Sequence, residues 1–210
     1  MNQLLKKRGK LLGIIAIFVM LLFAAYSCRM ELDNSVYENA EKQKTIEKVR
    51  AWYEVHKPEE ILLRFFEGGG QVPVKAEWSR AFTTEYDSLR VVETDIMSKG
   101  RLMVLDSACV AKYNETQDPK YKQCYTRMVF RINLNTKDTL GFLMTVVPDM
   151  DWLEISNFKP FMEVTYLFRS KQFGGQILFN NLDGSFCNGW RYKNGKIVAT
   201  VTLLNAKPNQ

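Results

Sequence analysis

The stretch YTRMVFRINLNTKDTLGFLMTVVPD, residues 125–149, decides the fold. Met128, Phe130 and Ile132 occupy every second position, which is the side-chain period of a β-strand. The polar segment 135–138 then interrupts the pattern, and a second apolar run ends at Pro148. Two such runs joined by a short polar turn predict an antiparallel hairpin, and the other elements are placed around it.

The segments that follow this hairpin predict three more strands, at 176–179, 185–192 and 196–204. The first two meet at NLDG, residues 181–184, and the last two meet at KNGK, residues 193–196. Asp-Gly and Asn-Gly are strong hairpin signals because tight turns need positive φ angles, which these residues tolerate. The C-terminal part of the chain is therefore predicted to be a β-meander.

The segments that precede the hairpin also contain strand signals. Residues 59–78 hold an apolar stretch, three glycines and an alternating run toward Trp78, although Pro73 makes this run a poor central strand. Residues 88–106 predict a strand, a turn at 98–100 and a second strand. Only residues 152–173 remain ambiguous between helix and strand.

A single amphipathic helix is predicted before the strands, over residues 37–56. Ile46, Val49 and Tyr53 recur at the helical period, and Pro58 cannot continue the helix. A helix with one apolar face needs a partner layer. The fold class is therefore α+β, with an N-terminal amphipathic helix packed on a curved, mostly antiparallel sheet of six to eight strands. By analogy, this arrangement is cystatin-like or nuclear-transport-factor-like.

The N-terminus has the layout of a secretory signal. Residues 1–10 are basic and residues 11–26 are apolar or small, with Cys28 close behind. This end resembles the lipobox of bacterial lipoproteins, in which the cysteine receives a diacylglycerol and becomes the first residue. Ser27 fits that pattern, whereas Ala25 and Tyr26 depart from it. An uncleaved signal anchor is the alternative, although sixteen residues are short for a spanning helix.

These features divide the chain into a lipoprotein signal peptide at 1–27, a tether at 28–36 and one α+β domain at 37–206. Acyl chains such as palmitate on Cys28 would make the membrane its first partner. Without the four basic residues of 1–27 the chain keeps 25 basic and 23 acidic residues, a net charge of +2. Because no dense basic stripe remains, a nucleic-acid partner is not expected.

Four segments together resemble poorly characterised lipoproteins and secreted proteins of Bacteroidota. They are VRAWYE at 49–54, LRVVET at 89–94, LGFLMTVVPD at 140–149 and NLDGSFCNGWRYKNGKI at 181–197. The resemblance covers about residues 40–200 and carries no assigned activity. It implies a membrane-anchored envelope lipoprotein, in the outer membrane rather than the inner one. Glu31 and Asp33 resemble a surface-export signal and Arg29 departs from it, so the leaflet is left open.

The residues that could carry catalysis are few. Glu93 with Asp95, and Asp149 with Asp151, are the carboxylate pairs that could serve a hydrolase. Glu93 and Asp95 should share the wet face of a strand, and Asp149 should make a turn. The chain has one histidine, His56, and no CxxC motif, so no metal or cofactor is expected. Cys109 and Cys124 could form a disulfide or remain free thiols.

We therefore expect a binding protein rather than an enzyme, with a macromolecule or a glycan as its ligand. The candidate ligand-binding residues are Phe158, Phe161, Tyr166 and Phe168, for which core packing is the alternative. A carboxylate-based hydrolase is one alternative function. A peptidase-inhibitor or propeptide-like module is another, although QVPVK at 71–75 departs from the cystatin pattern Gln-x-Val-x-Gly at Pro73 and Lys75.

Overall fold

The computed structural model describes residues 38–65, 70–100, 103–161 and 163–202. The chain divides into two compact units, residues 1–44 and 45–210. The predicted signal peptide, Cys28 and the tether lie outside the described residues. Within the described ranges, no helix combines the length and the apolar character needed to cross a bilayer.

Helix α1 runs over residues 38–56, as the helical period predicts. In its first turns, Lys42 Nζ lies 2.6 Å from Glu38 Oε1. In its part beyond residue 44, Val49 and Tyr53 face inward and are only 2% and 4% exposed. The helix ends two residues before Pro58, and the Lys57 amide donates to the Tyr53 carbonyl at 2.8 Å.

Among the described residues, eight antiparallel strands form one sheet in which each strand pairs with the next along the chain. This confirms the predicted α+β class and the meander. The strands are β1 (Leu62–Leu63), β2 (Val72–Tyr86), β3 (Leu89–Ser98), β4 (Tyr125–Asn133), β5 (Thr139–Pro148), β6 (Gly175–Asn181), β7 (Phe186–Lys193) and β8 (Lys196–Val201).

The three predicted hairpins are confirmed. Strands β4 and β5 pair from Tyr125 opposite Val146 to Ile132 opposite Thr139. The turn between β7 and β8 has positive φ at both central residues, 50° at Asn194 and 70° at Gly195. That pair of angles is the reason for an Asn-Gly sequence at this position.

Two predictions outside the three hairpins were wrong or incomplete. The strand expected after Gly100 is absent over the described residues 103–106, and a helix α2, Ser107–Thr116, follows. Its start is set by Asp106, whose carboxylate accepts the Ala108 amide at 3.0 Å. In the ambiguous segment, a short helix α3, Met150–Ile155, is followed by irregular chain. Helix α3 covers only 152–155 of this segment, and no strand is found among its described residues 156–161 and 163–173.

Both faces of the sheet are covered. On the first face, α1 packs through Tyr53, whose ring lies edge-on to Phe130 of β4 with centroids 5.7 Å apart. On the second face, Trp152 of α3 packs against Phe173, which in turn contacts Tyr192 of β7. Because of this second layer, alternate residues of the central strands are buried in both directions: Val91 and Val92 of β3 are both fully buried.

Candidate functional site

The second face of the sheet is left partly open over β5 to β8. An open cavity of about 570 Å³ lies there, between the strands and the loop 164–170, which we call the rim loop. This volume is in the range of small-molecule binding sites. We call the cavity the aromatic pocket, since five aromatic residues line it: Phe142, Tyr166, Phe179, Trp190 and Tyr192.

Three aromatic rings of the pocket, those of Phe142, Tyr166 and Phe179, pack against one another in edge-to-face geometry. The ring centroids of Phe142 and Tyr166 are 5.2 Å apart, and those of Phe142 and Phe179 are 5.8 Å apart. Trp190 of β7 lines the same cavity and is half-buried. The wall is therefore a continuous apolar surface contributed by three neighbouring strands and the rim loop.

Polar groups reach the pocket where β7 bulges. The register shift between β6 and β7 leaves Cys187 without a partner residue in β6, and both Cys187 and Asn188 line the cavity. Bulges of this kind re-aim side chains, often next to binding sites. Asn180 and Asn181, at the end of β6, also line the cavity.

The rim loop has a fixed internal structure. Val164 and Arg169 pair as an isolated antiparallel bridge. Across the turn, the Thr165 amide donates to the Phe168 carbonyl at 2.7 Å, and the Phe168 amide donates to the Thr165 hydroxyl at 3.0 Å. The loop is thus a small hairpin that holds Tyr166 and Arg169 over the pocket.

A buried polar cluster attaches the rim loop to the sheet. The Val164 carbonyl accepts from the Tyr125 hydroxyl at 2.6 Å and from Arg127 Nη1 at 3.2 Å. Burial raises the pKa of Tyr125, so its hydroxyl remains a donor. The Tyr166 amide donates to Glu93 Oε1 at 2.8 Å. Each contact joins the rim loop to β3 or β4.

Glu93 is the centre of this cluster, and its predicted position on the wet face was wrong. Its side chain is 0% exposed, because the rim loop folds over the strand. Burial raises the pKa of Glu93, against the opposing effects of the Tyr166 amide and Arg127, whose Nη1 lies 3.3 Å from Oε2. Asp95 does share this face of β3, as predicted, and lies 3.6 Å from Arg127 Nε.

Arg127 itself lies between two rings. Its guanidinium carbon is 5.1 Å from the Phe82 ring centroid and 4.6 Å from that of Tyr125. It therefore bridges Glu93, Asp95 and the rim loop from a fixed position. The arrangement is that of a structural ion pair, with both carboxylates held by the same arginine.

Arg169 is the charged residue of the aromatic pocket; among the described lining residues there is no other charged side chain. Its Nη1 donates to the Tyr192 hydroxyl and its Nη2 donates to the Tyr166 carbonyl at 3.4 Å. The guanidinium carbon also lies 4.8 Å from the Tyr192 ring centroid. The side chain is thus oriented by the same residues that form the pocket wall.

The four residues proposed from the sequence as ligand-binding do not come together. Tyr166 lines the aromatic pocket. Phe161 lines a different cavity of about 410 Å³, where its ring meets that of Tyr125 at 4.1 Å. Phe158 packs edge-on to Tyr121 at 5.6 Å, and Phe168 is 47% exposed beside Tyr86.

The other sequence candidates have structural positions. Asp149 was expected to make a turn, and it instead caps α3 by accepting the Trp152 amide at 2.8 Å. Burial raises the pKa of Asp149. It lines a cavity of about 300 Å³ together with Asp151 and Lys193. His56 is exposed, and its ring stacks on Trp52 with centroids 4.3 Å apart.

The cysteines Cys109, Cys124 and Cys187 are free thiols, so the disulfide between Cys109 and Cys124 is not formed. Among the described residues, no three histidine, cysteine, aspartate or glutamate side chains come together as a metal site would require. A comparison of the chain with known protein families, curated proteins and solved structures finds no match.

The sequence reasoning did not identify most of the aromatic pocket. Phe142, Phe179 and Trp190 were assigned only to strands, and Arg169 was not singled out. A signal was nevertheless present: Trp190 and Tyr192 are two positions apart on β7, so they must share a face of the sheet. Combining that alternation with the register of the two C-terminal hairpins would have placed the aromatic side chains together.

Proposed function

We propose that this protein is a lipid-anchored envelope protein that binds a glycan in the aromatic pocket. The observation that carries the proposal is the pocket itself: aromatic rings from three strands, side-chain amides at one end, and a rim loop fixed by buried polar contacts. A pre-formed apolar concavity with a few placed polar groups is the usual form of a small-molecule site.

A sugar ring fits this combination of surfaces. Each pyranose has a C–H face that can lie on an aromatic ring, and hydroxyl groups that need hydrogen-bond partners at its edge. Trp190 and Phe179 provide ring surface, while Asn181 and Asn188 provide amide donors and acceptors. The Asn181 amide already donates to the Ser185 hydroxyl at 3.0 Å, but a wholly apolar ligand would leave the Asn188 amide without a partner, which costs free energy.

The alternative functions have less support. Glu93 and Asp95 are both held by Arg127, and Asp149 caps a helix, so each carboxylate pair contains groups with structural contacts of their own. The wedge expected for a peptidase inhibitor at 68–75 falls partly outside the described residues. Its described end, from Val72, is the start of the long strand β2.

The proposed address follows from the sequence. Cys28, with the preceding apolar segment, would anchor the domain through its acyl chains, in the outer membrane of a Bacteroidota cell. The finer fold assignment is a proposal too. The arrangement of a helix over one face of an antiparallel meander supports a cystatin-like or nuclear-transport-factor-like relationship.

The test is a glycan-array screen of the full chain in detergent, followed by calorimetric titration of each positive glycan. We expect saturable binding that Trp190→Ala abolishes, because the indole lines the pocket. Val198→Ala is the matched control, since Val198 is an exposed apolar residue of the adjacent strand β8 and does not line the pocket. Unchanged binding by a folded Trp190→Ala variant would contradict the proposal.

A further inference from the structure

The charge on the lining of the aromatic pocket is positive. Seventeen residues line it, and among these described residues Arg169 is charged while none is acidic. No carboxylate of the described residues forms an ion pair with Arg169, in contrast to Arg127, Arg80 and Arg90 on the same sheet. The pocket therefore presents a positive charge that no carboxylate of the described residues neutralises by an ion pair.

Arg169 is also held in place before any ligand arrives. The bridge to Val164, the hydrogen bond to the Tyr192 hydroxyl and the contact with the Tyr192 ring fix its backbone and its guanidinium. A pre-ordered side chain loses little further conformational entropy when it binds a partner. Ordering of this kind is typical of an arginine that recognises a ligand rather than one that is only solvated.

The guanidinium still has donors to offer. A guanidinium carries five N–H groups, and the structure gives Arg169 two hydrogen bonds, to the Tyr192 hydroxyl and to the Tyr166 carbonyl. Three N–H groups therefore remain, and a guanidinium is the side-chain group whose planar set of donors best matches the oxygens of a carboxylate.

We propose that the glycan bound by this protein is acidic, and that Arg169 binds the carboxylate of a uronic acid or a similar sugar acid. The inference rests on the proposed glycan function and narrows it to one class of ligand. The sugar ring would lie against the aromatic wall around Trp190 and Phe179, with its carboxylate on Arg169 and its hydroxyls toward the Asn181 and Asn188 amides. Asn188 is the reason to choose a sugar acid over a fatty acid, whose acyl chain would bury its side-chain amide without a partner.

The test compares two sugar oligomers of equal size that differ in charge, with a fatty acid as a third ligand. Calorimetric titration of the full chain in detergent uses galacturonate oligomers, galactose oligomers and myristate in parallel. We expect the galacturonate oligomers to bind at least roughly tenfold more tightly than the galactose oligomers, since a hydrogen-bonded charge pair contributes about one to two powers of ten in affinity. We also expect this preference to shrink as salt rises.

Two variants assign the preference to Arg169. Arg169→Gln should remove it, and Arg169→Lys should retain part of it, because lysine keeps the charge but loses the planar pair of donors. Arg191→Gln is the matched control: Arg191 is exposed next to Trp190 on β7 and does not line the pocket. It should bind both oligomers as the unaltered protein does.

Each outcome decides between the two proposals. Equal affinity for both oligomers, or an unchanged preference in a folded Arg169→Gln variant, would overturn the acidic-ligand inference while leaving glycan binding intact. Binding of myristate with no sugar bound would assign the carboxylate to a lipid and overturn both proposals. If neither sugar class binds and the glycan array is also negative, the glycan function fails together with the inference.

Discussion

Replacing Glu93 by alanine removes the centre of the buried cluster that attaches the rim loop to the sheet. The carboxylate accepts the Tyr166 amide at 2.8 Å and pairs with Arg127 at 3.3 Å, and its side chain is 0% exposed. In the variant, the Tyr166 amide loses its partner and Arg127 loses its shortest ion pair. The alanine also leaves a cavity where water was excluded.

The contacts of Glu93 set the size of the expected loss in unfolding free energy. Removing one partner of a buried ion pair typically costs about 3–5 kcal/mol, because the other charge is left uncompensated. Arg127 is 14% exposed and keeps Asp95 at 3.6 Å. We therefore expect the lower end, about 3 kcal/mol. For a domain of this size that corresponds to a fall of roughly 10 °C in melting temperature.

The assay is urea unfolding followed by tryptophan fluorescence, with thermal unfolding by circular dichroism as a second probe. Asp95→Asn is the control, because its carboxylate is 36% exposed and belongs to the same cluster. We expect a loss of no more than about 1 kcal/mol there. If Glu93→Ala loses less than about 1 kcal/mol, Glu93 does not hold the rim loop and the argument is refuted.

Four further predictions concern Glu93, the turn between β7 and β8, Cys109 and Cys28. Burial raises the pKa of Glu93, so the folded protein binds a proton at this carboxylate more tightly than the unfolded chain does. The stability that comes from protonated Glu93 is therefore fully present below pH 4.5, the usual pKa, and is lost as the pH rises through the folded pKa. Glu93→Gln should reduce this loss of unfolding free energy with rising pH, measured by urea unfolding at a series of pH values. An unchanged pH dependence in the variant would contradict the prediction. Changing Asn194 and Gly195 to valine should lower the unfolding free energy by roughly 1–3 kcal/mol per strained residue, since both φ angles are positive; unchanged melting would show that the turn tolerates side chains. Burial, with the charges of Asp106 and Asp149, raises the pKa of Cys109 to about 11. Iodoacetamide at pH 8 should therefore modify the exposed Cys187 before Cys109. If mass spectrometry shows that both cysteines react equally fast, the burial of Cys109 is contradicted. Cys28→Ala should abolish metabolic labelling by a fatty-acid analogue and release the protein from membranes, whereas persistent label would refute the lipid anchor.

The elements predicted correctly from the sequence are those with local causes. The 3.6-residue period of Ile46, Val49 and Tyr53 is enough to define α1, and positive φ at Asn194 and Gly195 is enough to define a hairpin. Helix α2 was not predicted because the apolar run LMVL before Asp106 was interpreted as a strand. The decisive residue was Asp106, whose carboxylate caps the helix.

The candidate site was only partly predictable because it depends on contacts distant in sequence. Tyr166 and Glu93 are 73 positions apart, yet their hydrogen bond turns a strand position that should be wet into a buried one. Phe158, Phe161 and Phe168 are near Tyr166 in sequence but diverge in space, since the segment after α3 is irregular. The aromatic pocket lies where the irregular segment after α3 no longer covers the sheet. No local sequence pattern predicts that position.

The central claim is that a sugar acid occupies the aromatic pocket with its carboxylate on Arg169. The most direct measurement is a crystal structure of the protein grown with a galacturonate oligomer. The account predicts density for a sugar ring against Trp190 and Phe179, with carboxylate oxygens at hydrogen-bond distance from the Arg169 guanidinium. An empty pocket at a concentration that saturates binding in solution, with the oligomer bound elsewhere on the protein, would contradict it.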